Sequence, residues 1–205
     1  MPQMLSKNTN SKSKNFFHQL PLLMFHPTQF FQSIERDANA NRAVKLSFLA
    51  LFFVSIVVVG FAFMIQKGLD SFSKNLPSTG EPFSFFWVAV TGQALMFFIL
   101  IMSILFIPLT HFFVKKFGGK QPWQETVKAT FYPLTGWFIF QNIPIVSIFA
   151  GFWAIYAMYR GFRVLQRMPQ NQVILFFVVS SIVEAVILAI IGAVLYGIIV
   201  LLTAI

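Results

Sequence analysis

The sequence predicts an all-α protein, a polytopic transmembrane helical bundle of five spans with its N-terminus cytoplasmic and its C-terminus on the opposite side. Three observations predict it. Hydrophobic residues make up 57% of the 205-residue chain and charged residues only 10%, whereas a soluble domain carries about a quarter charged residues to coat its surface. Several apolar runs reach the ~20 residues that an α-helix needs to cross a hydrocarbon core of about 30 Å. The lysines and arginines gather in alternate connections, which is the pattern that fixes orientation. One membrane domain is the natural unit.

Residues 1–19 form a basic tail rich in Asn, Ser and Lys, a composition with too little to bury to stay ordered. Lys7, Lys12 and Lys14 precede the apolar stretch 16–25 as in a secretory signal, but Pro21 breaks that stretch and polar residues follow it, so a cleaved leader is not expected. Residues 20–43 read as an interfacial segment. Pro27 suits a first helical turn, and Phe30, Phe31 and Ile34 share a face opposed by Gln29, Gln32, Ser33 and Arg36, the pattern of a short amphipathic helix lying on the cytoplasmic leaflet.

The five-span domain, residues 44–205, follows. The first span is expected over about 44–65. A polar connection over 67–82 carries Gly68, Pro77 and Gly80 as turn signals and balances Lys67 and Lys74 against Asp70 and Glu81. The second span, about 83–114, is longer than a bilayer requires and must tilt, kink near Pro108 or project beyond the bilayer. Spans three and four, about 126–140 and 144–162, are separated by Gln141, Asn142 and Pro144; a helical hairpin fits this break, and a re-entrant pair is the alternative. The last span runs over about 172–203. The N-terminal segment, the 115–128 connection and the 160–167 connection hold 13 of the 15 Lys and Arg residues, which places all three in the cytoplasm.

The formal net charge of +9 does not indicate nucleic acid, because the cations lie beside apolar runs with no folded basic domain to form a groove. They suit anionic headgroups of the lipid bilayer instead. The candidate lipid or partner face is Lys115, Lys116, Lys120, Trp123, Arg160, Arg163 and Arg167. Gly118 and Gly119 within it read as a tight turn. Glu184 is the single ionisable residue deep in a predicted span, so it is the candidate intramembrane functional acid; a hydrogen bond to Ser180 or Ser181 is the structural alternative. Ser181, Ala185, Ala189, Ala193 and Gly197 recur at four-residue steps, a ridge that lets another backbone approach closely. Packing within the chain is the expected use of that ridge, with self-association or another membrane protein as the alternative. A second small-residue face, Ala150, Ala154, Ala157 and Gly161, is expected to mate with the first span.

No catalytic residue, cofactor or metal site is expected. The chain has no cysteine, its three histidines His18, His26 and His111 are far apart in sequence, and no phosphate loop or dinucleotide fingerprint occurs.

HPTQFFQSI at 26–34, FGGKQPW at 117–123, ATFYP at 129–133, Ile143 with Pro144, Trp153 and YRG at 159–161 together resemble the Yip family of five-span membrane proteins. The pattern is similar to that of the bacterial members. The resemblance implies a non-enzymatic membrane protein, and the bacterial cytoplasmic membrane as its location. The aspartate-leucine-tyrosine-glycine-proline motif of eukaryotic members is absent, so the resemblance does not extend to GTPase binding. The expected function is a membrane scaffold or adaptor acting through the basic cytoplasmic face. The alternative is a small ion- or proton-coupled transporter using Glu184, against which stands the lack of an internal repeat.

Overall fold

The computed structural model describes residues 16–35, 39–73 and 84–203. Among these residues seven helices occur in this order: α1 (Phe16–Phe25), α2 (Pro27–Ile34), α3 (Ala40–Ser73), α4 (Phe85–Lys116), α5 (Trp123–Phe140), α6 (Pro144–Leu165) and α7 (Gln170–Thr203). The tail before residue 16, and Lys74, Pro77, Gly80 and Glu81 of the expected polar connection, lie outside the described residues.

Each expected span falls on one helix, and the polar break at Gln141 and Asn142 is the turn between α5 and α6. Two boundaries move. Residues 16–19, assigned above to the tail, belong to α1, a helix that tolerates Pro21 in its interior. The beginning of the first polar connection is helical as far as Ser73. Gln66 Nε2 donates to Asp70 Oδ1 at 2.9 Å across one turn, and no proline occurs between Ala40 and Pro77.

Among the described residues four helical segments are long and apolar enough to cross a membrane: Ala40–Ser71, Phe86–Lys116, Ile145–Leu165 and Gln170–Val194. Their surfaces are lipid-like. Phe53, Val57, Phe61, Leu105, Phe149, Phe152 and Ile190 are all largely exposed, which a soluble protein would not tolerate over so wide an area. The third expected span, α5, is not among the four. It carries Glu125, Lys128 and four threonine and glutamine side chains in its 18 residues, and polar groups in a bilayer belong inside the bundle. It is the best-buried helix, with eleven buried residues running from Thr126 to Phe138. Helices α1, α3, α4 and α6 pack around it. With α6 it forms a tight hairpin that carries the chain back through the interior.

Ser47 joins α3 to this inner helix: its hydroxyl lies 2.8 Å from both Phe131 O and Thr135 Oγ1. Gly136 admits the Trp153 ring, whose atoms would lie 2.6 and 2.8 Å from a Cβ at that position. The small-residue face of α6, with Ala150, Ala154, Ala157 and Gly161 all buried, does not mate with the first span as expected. Helix α6 uses it on α5 and α2: a Cβ at Gly161 would meet Phe31 Cζ at 3.0 Å and Ala129 at 3.2 Å.

Candidate functional site: the basic end of the bundle

The C-termini of α2, α4 and α6 and the N-termini of α5 and α7 converge at one end, tied by hydrogen bonds across the chain. Its centre is the turn after α4. Gly118, at φ 88°, occupies the left-handed position that ends many helices, where a Cβ is disfavoured. Its N–H donates to Lys115 O at 3.3 Å and that of Gly119 to Val114 O at 2.8 Å, which is the paired closure of a Schellman motif. A Cβ at Gly119 would lie 2.4 Å from Val114 Cγ1 and 2.9 Å from Val114 O, so glycine is required there too. The Gly118, Gly119 pair is thus a turn, as the sequence indicates.

Gln166 holds the remainder of this connection from the end of α6. Fully buried, it accepts from Gln121 N at 3.2 Å and donates to Pro122 O at 3.2 Å and Thr126 Oγ1 at 2.9 Å, while its own carbonyl takes Lys120 N at 3.2 Å. Thr126 Oγ1 also lies 2.8 Å from His111 Nδ1. His111 is therefore spent on tying α4 to α5. Among the described residues no three His, Cys, Asp or Glu side chains group as metal ligands would.

Helix α2 is locked onto this end instead of lying on a lipid leaflet. Phe30 and Phe31 are fully buried and Ile34 nearly so. Phe30 sets its ring edge-on to Tyr132 of α5 with centroids 5.1 Å apart. The amphipathic pattern in the sequence is real, but the apolar face is covered by protein. Two polar contacts fix its position and one holds the end of α1 just before it. Arg160 Nε donates to Thr28 Oγ1 at 2.6 Å, Trp153 Nε1 donates to Met24 O at 2.9 Å, and Lys128 Nζ donates to Ile34 O at 3.1 Å. The last is a cation at the carbonyl end of a helix, where orphan acceptors and the backbone dipole both favour it. Lys128 is buried completely and pairs with Glu125 Oε1 at 2.7 Å.

The predicted interaction face consequently divides. Lys115, Lys116 and Lys120 are exposed and Trp123 is 46% exposed. Arg160 is occupied by Thr28, and Arg163 stacks on Tyr159 at 5.8 Å. Arg167 forms an exposed pair with Glu35 at 2.7 Å, a type that contributes little to stability. Arg167 adopts φ 54°, the left-handed residue through which α6 turns into α7.

Glu184 does not pair with Ser180 or Ser181. It accepts from Thr110 Oγ1 of α4 at a long 3.4 Å, and Ser180 turns to Phe177 O at 3.3 Å. The ridge on the same helix faces outward: Ser181, Ala185, Ala189 and Ala193 are all exposed, and the helical backbone carries Gly197 beyond them. Packing within the chain, the expected use of the ridge, is not what the fold does with Ser181 to Ala193, because among the residues of α7 whose burial is described only Val173, Phe176 and Ser180 are buried.

Sequence reasoning missed Lys128 and Gln166. Lys128 was counted with the 115–128 connection, yet an acid and a base three residues apart, Glu125 and Lys128, entering an otherwise apolar run are the signal of a pair in the second turn of a helix. Gln166, by contrast, has no sequence signature.

Four membrane-length helices, three of them packed on a buried polar one and the fourth on their outer side, capped by a basic end, define a polytopic α-helical integral membrane protein. The chain belongs to the Yip1 domain family, whose model matches residues 22–202. No curated protein and no solved structure matches it.

Proposed function

We propose that the protein is a non-enzymatic membrane scaffold or adaptor whose basic end faces the cytoplasm of a bacterial inner membrane and engages anionic lipid headgroups, or a partner protein presenting similar charge. The observation that carries this reading is the fixed turn at 117–122. Its backbone is closed by Gly118 and Gly119 and held by Gln166, while Lys115, Lys116 and Lys120 project outward beside Trp123. A pre-ordered cluster loses little entropy on binding, and each basic residue near an anionic surface contributes about 1 kcal/mol. The excess of Lys and Arg at this end supports the cytoplasmic assignment. The exposed ridge from Ser181 to Ala193 is the face on which a partner helix or a second copy would seat. Glu184, hydrogen-bonded to a neutral threonine, serves in this reading to join α4 and α7.

The test is association of spin-labelled phosphatidylglycerol with the reconstituted protein at low and high salt. Replacing Lys115, Lys116 and Lys120 with glutamine is expected to reduce the preference for the anionic lipid over phosphatidylcholine about tenfold at low salt, with a smaller change at 1 M salt where such charges are screened. An unchanged preference, together with undiminished capture of partner proteins, would refute the proposal.

A further inference from the structure

Helix α3 supplies a depth scale. Charges bracket its apolar interval, Arg42 and Lys45 at the basic end and Lys67 and Asp70 at the other. Its exposed apolar side chains run from Phe48 to Leu69, about 32 Å at 1.5 Å per residue, a full hydrocarbon core. Ser55 lies near the middle of that interval. From it runs a chain of side-chain hydrogen bonds: Ser55 Oγ donates to Gln93 Oε1 of α4 at 2.9 Å, and Gln93 Nε2 donates to Asn142 Oδ1 at 2.7 Å. The turn between α5 and α6 is thereby held at the level of Ser55, to within about one helical turn.

Two other helices give a similar depth. Gln93 comes eight residues after Phe85, the first residue of α4, so about 12 Å of that helix continues past the turn. Beyond the turn, exposed large apolar side chains run only from Ile143 to Tyr156, about 20 Å. No residue from Ala157 to Gln166 is exposed, because Thr28 of α2, Thr126 of α5 and Phe176 of α7 meet α6 there. Helix α6 is long enough to cross, yet its lipid-like surface falls about 10 Å short of a ~30 Å core. At the tip itself Ile143 is 51% and Ile145 74% exposed, which suits hydrocarbon and not a headgroup layer. Asn142 beside them is also exposed. The bond from Gln93 uses its oxygen, and its amide N–H groups have no acceptor among the described residues. A broken helix with an exposed amide at such depth is tolerated where it lines water.

We infer that α5 and α6 form a re-entrant hairpin that enters from the basic end, turns back at 141–143 near the centre of the bilayer, and carries Asn142 into water reaching in from the opposite side. The crossing helices are then α3, α4 and α7. This depth holds whichever face of the membrane is cytoplasmic.

The chain contains no cysteine, so single cysteines at the exposed positions Ile143 and Ile145 report on the full-length protein without entering its core. Ile145→Cys, carrying a bimane fluorophore in liposomes, is read against lipids spin-labelled at the headgroup or near the end of an acyl chain. Chain-end labels are expected to quench about threefold more strongly, since the turn lies roughly 10–15 Å from the far boundary. In sealed vesicles Ile143→Cys is expected to react with a membrane-impermeant maleimide from the face that carries Leu69→Cys and not from the face that carries Lys120→Cys, at a rate within about tenfold of Leu69→Cys. Stronger quenching from the headgroup would mean that the hairpin crosses completely, and no labelling of residue 143 before detergent is added would mean that water does not reach the tip. Either result would overturn the inference.

Discussion

Lys128→Met is expected to lower the stability of the bundle by about 3–5 kcal/mol, the usual consequence of removing one partner of a buried ion pair. Lys128 is fully buried, and Glu125 shows only 12% of its side chain. Methionine fills much the same volume, so little cavity forms and the loss is electrostatic. The Glu125 carboxylate then loses its cation, and Ile34 O loses the donor that closes α2. Denaturant unfolding of the purified protein in a mild detergent measures the first effect, and protease susceptibility of the α2 segment measures the second. The double variant Glu125→Gln, Lys128→Met should recover much of the loss, since two neutral groups carry a far smaller desolvation penalty than a carboxylate deprived of the Lys128 cation. A double variant as unstable as the single one would mean that the volume of Lys128, not its charge, matters.

Phe31→Ala should cost a similar 3–5 kcal/mol, by a different mechanism. The ring is fully buried, sets its edge against Phe30 at 5.3 Å, and rests against Gly161, a position with no room for a larger residue. The surrounding helices are held by their own contacts and cannot collapse into the vacated space, so a cavity term adds to the lost transfer energy. The matched control is Phe25→Ala: with Phe25 77% exposed, the change is expected to stay within about 0.5 kcal/mol. Both measurements use the same unfolding assay. Equal midpoints for Phe31→Ala and Phe25→Ala would show that α2 is not docked.

Helix positions were legible because a bilayer demands long apolar runs, and such runs fold as helices. Gln141, Asn142 and Pro144 together stop a helix in an otherwise uninterrupted apolar run, and the α5–α6 turn occupies residues 141–143. Periodicity shows which face of a helix is apolar but not what covers it. For that reason Phe30, Phe31 and Ile34 pointed to a lipid surface when their partners are α5 and α6. The ridge on α7 misled in the opposite sense, since small residues permit close packing without naming the partner. At the basic end the lysines of the turn could be read directly, and so could the glycines that shape it. What could not be read is that Arg160 and Arg167 are drawn off by Thr28 and Glu35, residues 132 positions away in the chain. Such pairings arise only after α2 has folded back.

The docking of α2 is the claim on which the account rests, because it makes the basic end one folded body and leaves Lys115, Lys116 and Lys120 exposed on it. The absence of cysteine permits single spin labels at 29–34 in the reconstituted protein, with collision rates measured against lipid-soluble oxygen and a water-soluble nickel complex. Docking predicts that labels at 30, 31 and 34 meet neither agent while those at 29 and 32 meet nickel; a helix lying on the leaflet would show high oxygen collision at 30, 31 and 34, and that result would contradict the account.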